Sequence, residues 1–507
     1  MDKSFQELTA LYNRYTDNPY ITTKIHNYIN HTLPNLIENL HKQQIEKEHK
    51  KMSFNEAVQE VSQLYLNKYY YIPSSELFIA YDETNFSITD EDDIQYDLLK
   101  YLGENKVYTD IKHKVNQQVI KNIRENNINI AIPESDTIQS VISLFYPSLF
   151  ATKHEAQYFL TIIGDNLLKK EPNTNHFVNS SLRRIVNVLS DNIHNLFGHS
   201  LLSFKGKFHD HNYKDSRLIK SNIMDYDCNN FKQKYLNIIT VACHYSQRYG
   251  SSDAFVRTKI TDNDLKNHIF YLKNNSPSTI VDEFICSMLS IKDTNNKDNK
   301  INSKSILYLW KLFLEKHRLP SVMFINTLKT ELSSKLNYDS ETDSFIGVSS
   351  HFLPFISSFI NFWNDEVLII NDPLESYDYE LDELTSLFKM YCDNNNISLS
   401  INEKNILNAV NHYFPDVSVV NNKYITNIKC KAWDKITEIR EIMDSFKEHV
   451  KESNDVKSYS LNSLYKYYCR HANKMLPTAS KSFFDKFIRE TYIDHIKNNI
   501  LSSTWFE

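Results

Sequence analysis

Histidine, aspartate and cysteine crowd one stretch of the chain, as His194, His199, His209-Asp210-His211, Asp215 and Cys228. A flanked His-x-His offers two imidazoles to zinc, and a third ligand folded in beside them would complete a site. No defined spacing to that third ligand is present, so a polar loop is the simpler expectation, with neither metal nor cofactor. A second stretch, Tyr158 to Lys170, is an apolar run that ends in Gly164 and then lysines. A phosphate-binding loop needs a second glycine five residues after the first, then Lys and Ser or Thr. Here position 169 is Lys and position 171 is Glu, so the backbone could not wrap a phosphate and the magnesium ligand is missing. The chain has only six glycines, Gly103, Gly164, Gly198, Gly206, Gly250 and Gly347, and none supports that loop or a GxGxxG turn elsewhere. The sequence is therefore read as non-enzymatic.

The remaining chemistry is that of charge and aromatic rings. Lys481, Lys486, Arg489 and Lys497, and further upstream Lys404, Lys423, Lys429 and Lys431, could pair with phosphates of nucleic acid. The adjacent Tyr69, Tyr70 and Tyr71 could stack on bases, although such clusters more often line a core edge. The acids Asp90-Glu91-Asp92-Asp93 behind Thr89 suit the start of a helix, where they complement the dipole, better than a metal.

The elements that would position the lysines come from a unit written three times. Tyr308 to Leu314, Ser386 to Cys392 and Ser463 to Cys469 align, and their central lysines, Lys311, Lys389 and Lys466, stand 78 and 77 residues apart. Behind each come Leu328 and Leu332, Ile406 and Val410, Phe483 and Phe487, four apart and so on one helix face. Alternating runs then flank Asn421-Asn422 and Asn498-Asn499, and Asn tolerates the positive φ of a tight hairpin turn. Asn337 to Ser344 fills that slot in the first copy. Helix, turn, helix and hairpin in this order predicts three winged-helix-like modules. In the first, Asp339, Glu341 and Asp343 would repel phosphate, which suggests a protein partner for 305–372.

The fold expected is mainly α with small β-hairpins (α+β), a helical N-terminal region followed by the three modules. The expected divisions are 1–66 (helical, with Ile25, Ile29, Leu33, Leu36, Ile37 and Leu40 at helical spacing), 67–132 (hairpin plus helix), 133–291 (central helical or mixed) and 292–304 (polar linker). Modules at 305–372, 378–435 and 458–507 follow, with a connector helix at 436–457. Another amphipathic connector runs from Phe352 to Trp363.

Net charge is −6 over 507 residues, so nucleic acid does not coat the whole chain. From Lys423 to Glu507, however, 15 Lys and Arg outweigh 11 Asp and Glu, making this the preferred end for DNA or RNA. The six cysteines form no CxxC pair and are expected to be core thiols in a reducing compartment. No apolar run or leader predicts a membrane span or signal peptide.

Glu76 to Leu102, Pro133 to Lys170 and the region after Lys304 resemble the primase-helicases of poxviruses and giant DNA viruses, and in plan an uncharacterised giant-virus group. In that family a hairpin-plus-acidic-helix module precedes a ring-forming ATPase, with winged helices behind. The resemblance covers about half the chain and rests on pattern. With Gly164 to Glu171 degenerate and no Walker B acidic pair after a hydrophobic strand between 171 and 300, no catalytic residue carries over. What it implies is an accessory protein of viral genome replication, transcription or packaging, in the host cytoplasm or the virion core, that kept binding modules and lost ATP hydrolysis. A protein-binding scaffold and a degenerate but active ATPase are the alternatives.

Overall fold

The computed structural model describes residues 2–104, 111–222, 229–291, 299–370, 378–453 and 457–506. The chain forms two compact units, one from the residues up to Ser276 together with Pro320–Val322, the other from Pro277–Leu319 and Met323–Glu507. It is mainly helical, with small, mostly antiparallel sheets. No helix among the described residues is long and apolar enough to cross a membrane.

The first unit begins with an exposed arm. Helix α1 (Asp2–Arg14) and helix α2 (Pro19–Asn27) bury no residue, and α2 starts where the Asn18 side chain accepts from the Ile21 amide ahead of Pro19. A π-turn at Tyr28–Thr32 leads into α3 (Leu33–Tyr65), whose buried residues are Ala57, Val61 and Ser62. Strands β1 (Tyr69–Ile72), β2 (Leu77–Tyr81) and β3 (Phe86–Thr89) make an antiparallel sheet, and the acidic stretch opens α4 (Glu91–Glu104). Tyr69 and Tyr70 are buried and Tyr71 lies 4.8 Å from the Phe78 ring, so this trio lines a core.

Helices α5 (Lys112–Glu125) and α6 (Ser135–Phe145) precede α7 (Lys153–Leu167), which Thr152 and Glu155 start with a reciprocal capping box that satisfies two orphan amides. The apolar run that ends at Gly164 is the buried middle of α7. Strand β4 (Asn175–Phe177) is central in a parallel sheet between β5 (Phe204–Lys205) and β6 (Ser216–Leu218), with α8 (Ser180–Phe197) between β4 and β5. Helices α9 (Asn229–Gln233), α10 (Tyr235–Tyr249), α11 (Ser252–Lys259), α12 (Asn263–Ile269) and α13 (Tyr271–Asn274) complete the unit.

Gly164 sits where α7 crosses α10, and a Cβ there would stand 2.0 Å from the Ala242 carbonyl oxygen. Lys170, just beyond α7, donates from Nζ to the Ser246 and Gly250 carbonyls at 3.0 Å each. It thereby satisfies acceptors that the end of α10 leaves open. Lys170→Ala should lower the stability of this unit by about 1–2 kcal/mol, measured by urea denaturation; an unchanged midpoint would remove the capping role.

A buried polar group lies on the parallel sheet. His176 on β4 pairs in register with Arg217 on β6, and Arg217 meets Asp253 through two hydrogen bonds of 2.8 and 2.9 Å. Burial pushes the Asp253 carboxyl up, but Arg217 and Lys273 bring it below its usual value. Burial, then the charge of Arg217, pushes the His176 imidazole down from 6.5 to about 3. The unfolded chain therefore takes up a proton below about pH 6.5 that the folded chain refuses until about pH 3. Stability should fall by about 3 kcal/mol from pH 7 to pH 4 on this account. His176→Asn should flatten that part of the profile in a pH series of urea titrations, and an unaltered slope would reject the assignment.

The second unit repeats a common order of elements three times, helix, strand, helix, helix, strand, strand, and the first two copies add one strand after the first helix and one at the end. The first copy is α14 (Pro277–Met288), then the short strand β7 (Ser290–Ile291), β8 (Lys300–Asn302), α15 (Ser303–Lys316), α16 (Ile325–Lys335), β9 (Asn337–Asp339), β10 (Ser344–Ile346) and β11 (Val348–Ser349). The second is α17 (Leu353–Glu366), β12 (Val367–Ile369), β13 (Tyr379–Glu380), α18 (Leu381–Asn394), α19 (Glu403–Tyr413), β14 (Ser418–Val420), β15 (Tyr424–Thr426) and β16 (Ile428–Cys430). The third is α20 (Lys435–Glu452), β17 (Tyr459–Ser460), α21 (Leu461–His471), α22 (Lys481–Thr491), β18 (Ile496–Lys497) and β19 (Ile500–Leu501).

Each copy makes the same sheet: the strand before the helix pair lies on the last hairpin strand, in the orders β8-β10-β9, β13-β15-β14 and β17-β19-β18. The turns between hairpin strands carry Asn421 and Asn422 at φ 54° and 53°, and Asn498 and Asn499 at φ 50° and 63°, the left-handed pairs that the Asn-Asn dipeptides predict. Gly347 and Asn427 take φ 76° and 62° at matching places after the first two hairpins.

The stretches read as connectors, Phe352 to Trp363 and Ile436 to Val450, lie in α17 and α20, the first helices of the second and third repeats. The first helix of every repeat packs an aromatic ring on the helix that follows it: Phe284 with Trp310 at 5.2 Å, Phe359 with Phe388 at 5.2 Å, Phe446 with Tyr467 at 4.7 Å. Of the stretch read as a linker, 292–298 lie outside the described residues, and the part from Lys300 onward is strand and helix. Cys243, Cys392 and Cys430 are buried, whereas Cys286 and Cys469 are exposed rather than core thiols. Both sit on helix faces turned away from the packed stripe. Cys228 lies outside the described residues.

Successive repeats are joined by side chains. Between the first two, Lys304 Nζ donates to the Tyr413 carbonyl at 3.1 Å, Tyr413 Oη donates to Ser305 Oγ at 3.1 Å, and His412 Nε2 lies 2.7 Å from the Lys304 carbonyl. Between the second and third, the buried Lys435 ammonium stands 2.9 Å from the buried Glu383 carboxylate, which also accepts from the amides of Glu380 and Ser480, both at 3.0 Å.

Candidate nucleic-acid interface

The basic residues of the third repeat are set by two short helices and a hairpin. Ser480 caps α22, accepting from the Phe483 amide at 3.3 Å, and Phe484, Phe487 and Ile488 form its buried face. That leaves Ser482, Lys486 and Arg489, spaced i, i+4, i+7, along the exposed side. Lys486 lies 3.6 Å from Asp378 and Lys481 3.8 Å from Asp485, long pairs whose lysines are exposed and which contribute little. Arg489 and Lys497 are exposed and have no acidic partner among the described residues.

The second repeat's lysines are placed differently. Lys404 pairs with Glu315 of the first repeat, Lys423 with the buried Glu380 at 2.9 Å, and Lys429 with Asp434 at 2.9 Å. Lys431 donates to the Asp365 carbonyl at 2.5 Å. All four therefore have a partner within the fold, although Lys404, Lys423 and Lys431 stay exposed, and helix α19, which carries Lys404, Asn408 and His412 on one face, turns that face toward α15. In the first repeat, Asp343 accepts from Tyr338 Oη, Ser303 Oγ and Lys329 Nζ at 2.6, 2.7 and 2.9 Å. These bonds hold its carboxyl well below the usual range.

Sequence reasoning missed Lys466, Arg470 and Lys474. They are exposed on and just after α21, without an acidic partner among the described residues. The signal was present: Lys466 and Arg470 are four apart on the face opposite Leu464 and Tyr468. The histidine stretch forms no cluster. His209 and His211 have ring centroids 6.2 Å apart, His199 Nδ1 lies against the Phe197 carbonyl, and among the described residues no three His, Cys, Asp or Glu are placed to hold a metal ion.

No protein-family model matches the chain, and neither a curated protein nor a solved structure matches it.

Proposed function

We propose that the second unit is a tandem of three winged helices and that its third copy binds the phosphate backbone of nucleic acid. The order helix, strand, helix, helix, strand, strand, with the first strand added to the hairpin, supports the winged-helix reading. One observation carries the binding site: Lys466, Arg470, Lys474, Arg489 and Lys497 are all exposed without an acidic partner among the described residues, whereas Lys404, Lys423 and Lys429 of the second repeat are paired with carboxylates and Lys431 with a backbone carbonyl. Phosphate contacts give affinity without sequence preference. With the resemblance to viral primase-helicases, this supports a non-catalytic accessory role in replication, transcription or packaging of a large viral genome.

The docking of α19 on α15 favours a second role beside it. The helix that would enter a DNA groove in the second copy is instead part of a repeat-to-repeat seam, so the first two copies serve as a scaffold.

Binding of the full chain to labelled single-stranded and duplex DNA across a salt series tests the reading. Affinity should fall steeply with salt, and Lys466→Glu/Arg470→Glu should reduce the slope of log K against log salt by about 2. Lys404→Glu should leave it unchanged. No binding at low salt, or equal effects of the two variants, would overturn the assignment of the third copy.

A further inference from the structure

We propose that the joint between the first two repeats is loosened by acid, with His412 as the group that takes up the proton. Its ring is held at both nitrogens by α15: Nε2 lies 2.7 Å from the Lys304 carbonyl oxygen, and Nδ1 lies 3.0 Å from the Lys311 ammonium. A carbonyl oxygen can only accept and an ammonium can only donate. The two contacts together therefore fit one form of the ring, the neutral one, with its proton on Nε2 and a lone pair on Nδ1. Tyr308 of α15 and the adjacent Tyr413 flank it, with ring centroids 5.4 and 4.8 Å away.

A second proton has to enter at Nδ1, where Lys311 already donates. The imidazolium would keep its bond to the Lys304 carbonyl and strengthen it, but it would lose the Lys311 bond and meet like charge in its place. The charges acting on the ring are Lys311 and Lys304, both on α15, while α17 and α18, which also pack on α19, set no charged group against it. Glu315, the carboxylate on this side of α15, is taken up by Lys404 and Asn408 further along the seam. Burial is the main cause that holds the His412 imidazole below its ordinary 6.5, and the two ammonium groups outweigh what the Lys304 carbonyl returns. The docked ring thus resists a proton that the undocked ring accepts, so the hold of α15 on α19 is complete above pH 6.5 and weakens as the pH falls below it.

Hydrogen exchange of the full chain at pH 7 and pH 5, corrected for the intrinsic pH dependence of exchange, is the test, together with an NMR titration of the histidines. Protection of the α19 amides should drop about fivefold at pH 5, as for the loss of one hydrogen bond. The His412 signal, recognised by its absence from His412→Gln, should titrate below 6.5. His412→Gln supplies a donor and an acceptor but takes up no proton, so its α19 protection should be the same at both pH values. That variant also separates His412 from His351, which lines a pocket with Glu315 and Lys404 at the other end of the seam. Lys311→Met removes the nearer ammonium and should move the His412 titration upward. A His412 that titrates at 6.5 or above, or an α19 protection that holds at pH 5 in the wild-type chain or falls equally in His412→Gln, would overturn the proposal.

Discussion

Gly164→Ala should destabilise the first unit by at least about 3 kcal/mol, and Gly164→Val should leave it unfolded under ordinary conditions. The new Cβ would stand 2.0 Å from the Ala242 oxygen, 2.6 Å from its carbonyl carbon and 2.7 Å from Ser246 Cβ. The first two are backbone atoms of α10, which no rotamer change can move aside. Helices α7 and α10 would have to separate by about an ångström, emptying contacts along a crossing where Ile163, Ala242 and Cys243 are fully buried. Alanine gains about 1 kcal/mol over glycine in helix propensity, which is too little to offset that loss. Gly103 in α4 meets nothing within 4 Å, so Gly103→Ala should be neutral or slightly stabilising and serves as the control. Hydrogen exchange of the α7 and α10 amides reads this crossing directly. Unchanged protection in Gly164→Ala would refute the crossing.

The second large effect is expected at Lys435 and Glu383. The Lys435 ammonium donates to the Asp378 carbonyl, stands 2.9 Å from Glu383 Oε2 and lies 3.8 Å from the Phe483 ring centroid. Burial pushes its pKa down against the pull of Glu383, so the ion is held at a cost that only its partner offsets. Glu383→Ala removes that partner and also strands the Glu380 and Ser480 amides, and should cost about 3–5 kcal/mol. Lys435→Met leaves a buried carboxylate with two amide donors and should cost somewhat less. The double variant Lys435→Met/Glu383→Gln keeps a side-chain acceptor and buries no charge, and should recover most of the loss. Guanidinium titrations of the wild-type chain, Lys435→Met, Glu383→Gln and the double variant form a double-mutant cycle. Additive losses would show that the two groups do not depend on each other.

What was legible in the sequence was local. The two-helix periodicity of each copy, and the Asn-Asn pairs that demand left-handed backbone, are properties of neighbouring residues. The hairpin turns at Asn421 and Asn498 can therefore be read without tertiary knowledge. What was not legible depends on distant partners. Lys404 and Glu315 are 89 residues apart and Lys435 and Glu383 are 52 apart, so a lysine paired with a distant carboxylate has the same local signature as an unpaired one. For the same reason α17 and α20 read as connectors: an amphipathic stripe reveals that it is covered, not by what. Gly164 next to lysines resembled a failed loop, because close helix crossing and phosphate wrapping both favour glycine.

The seam at Glu383 and Lys435 bears on how the three copies can be inherited. Copies of one unit begin as interchangeable parts, able to be lost or swapped singly. Here a gene ending just ahead of α20 would leave an anion in the second copy with no cation to meet it, and one restarting at α20 would carry the converse defect. Losing either of the last two copies removes the charge partner around which the other is packed.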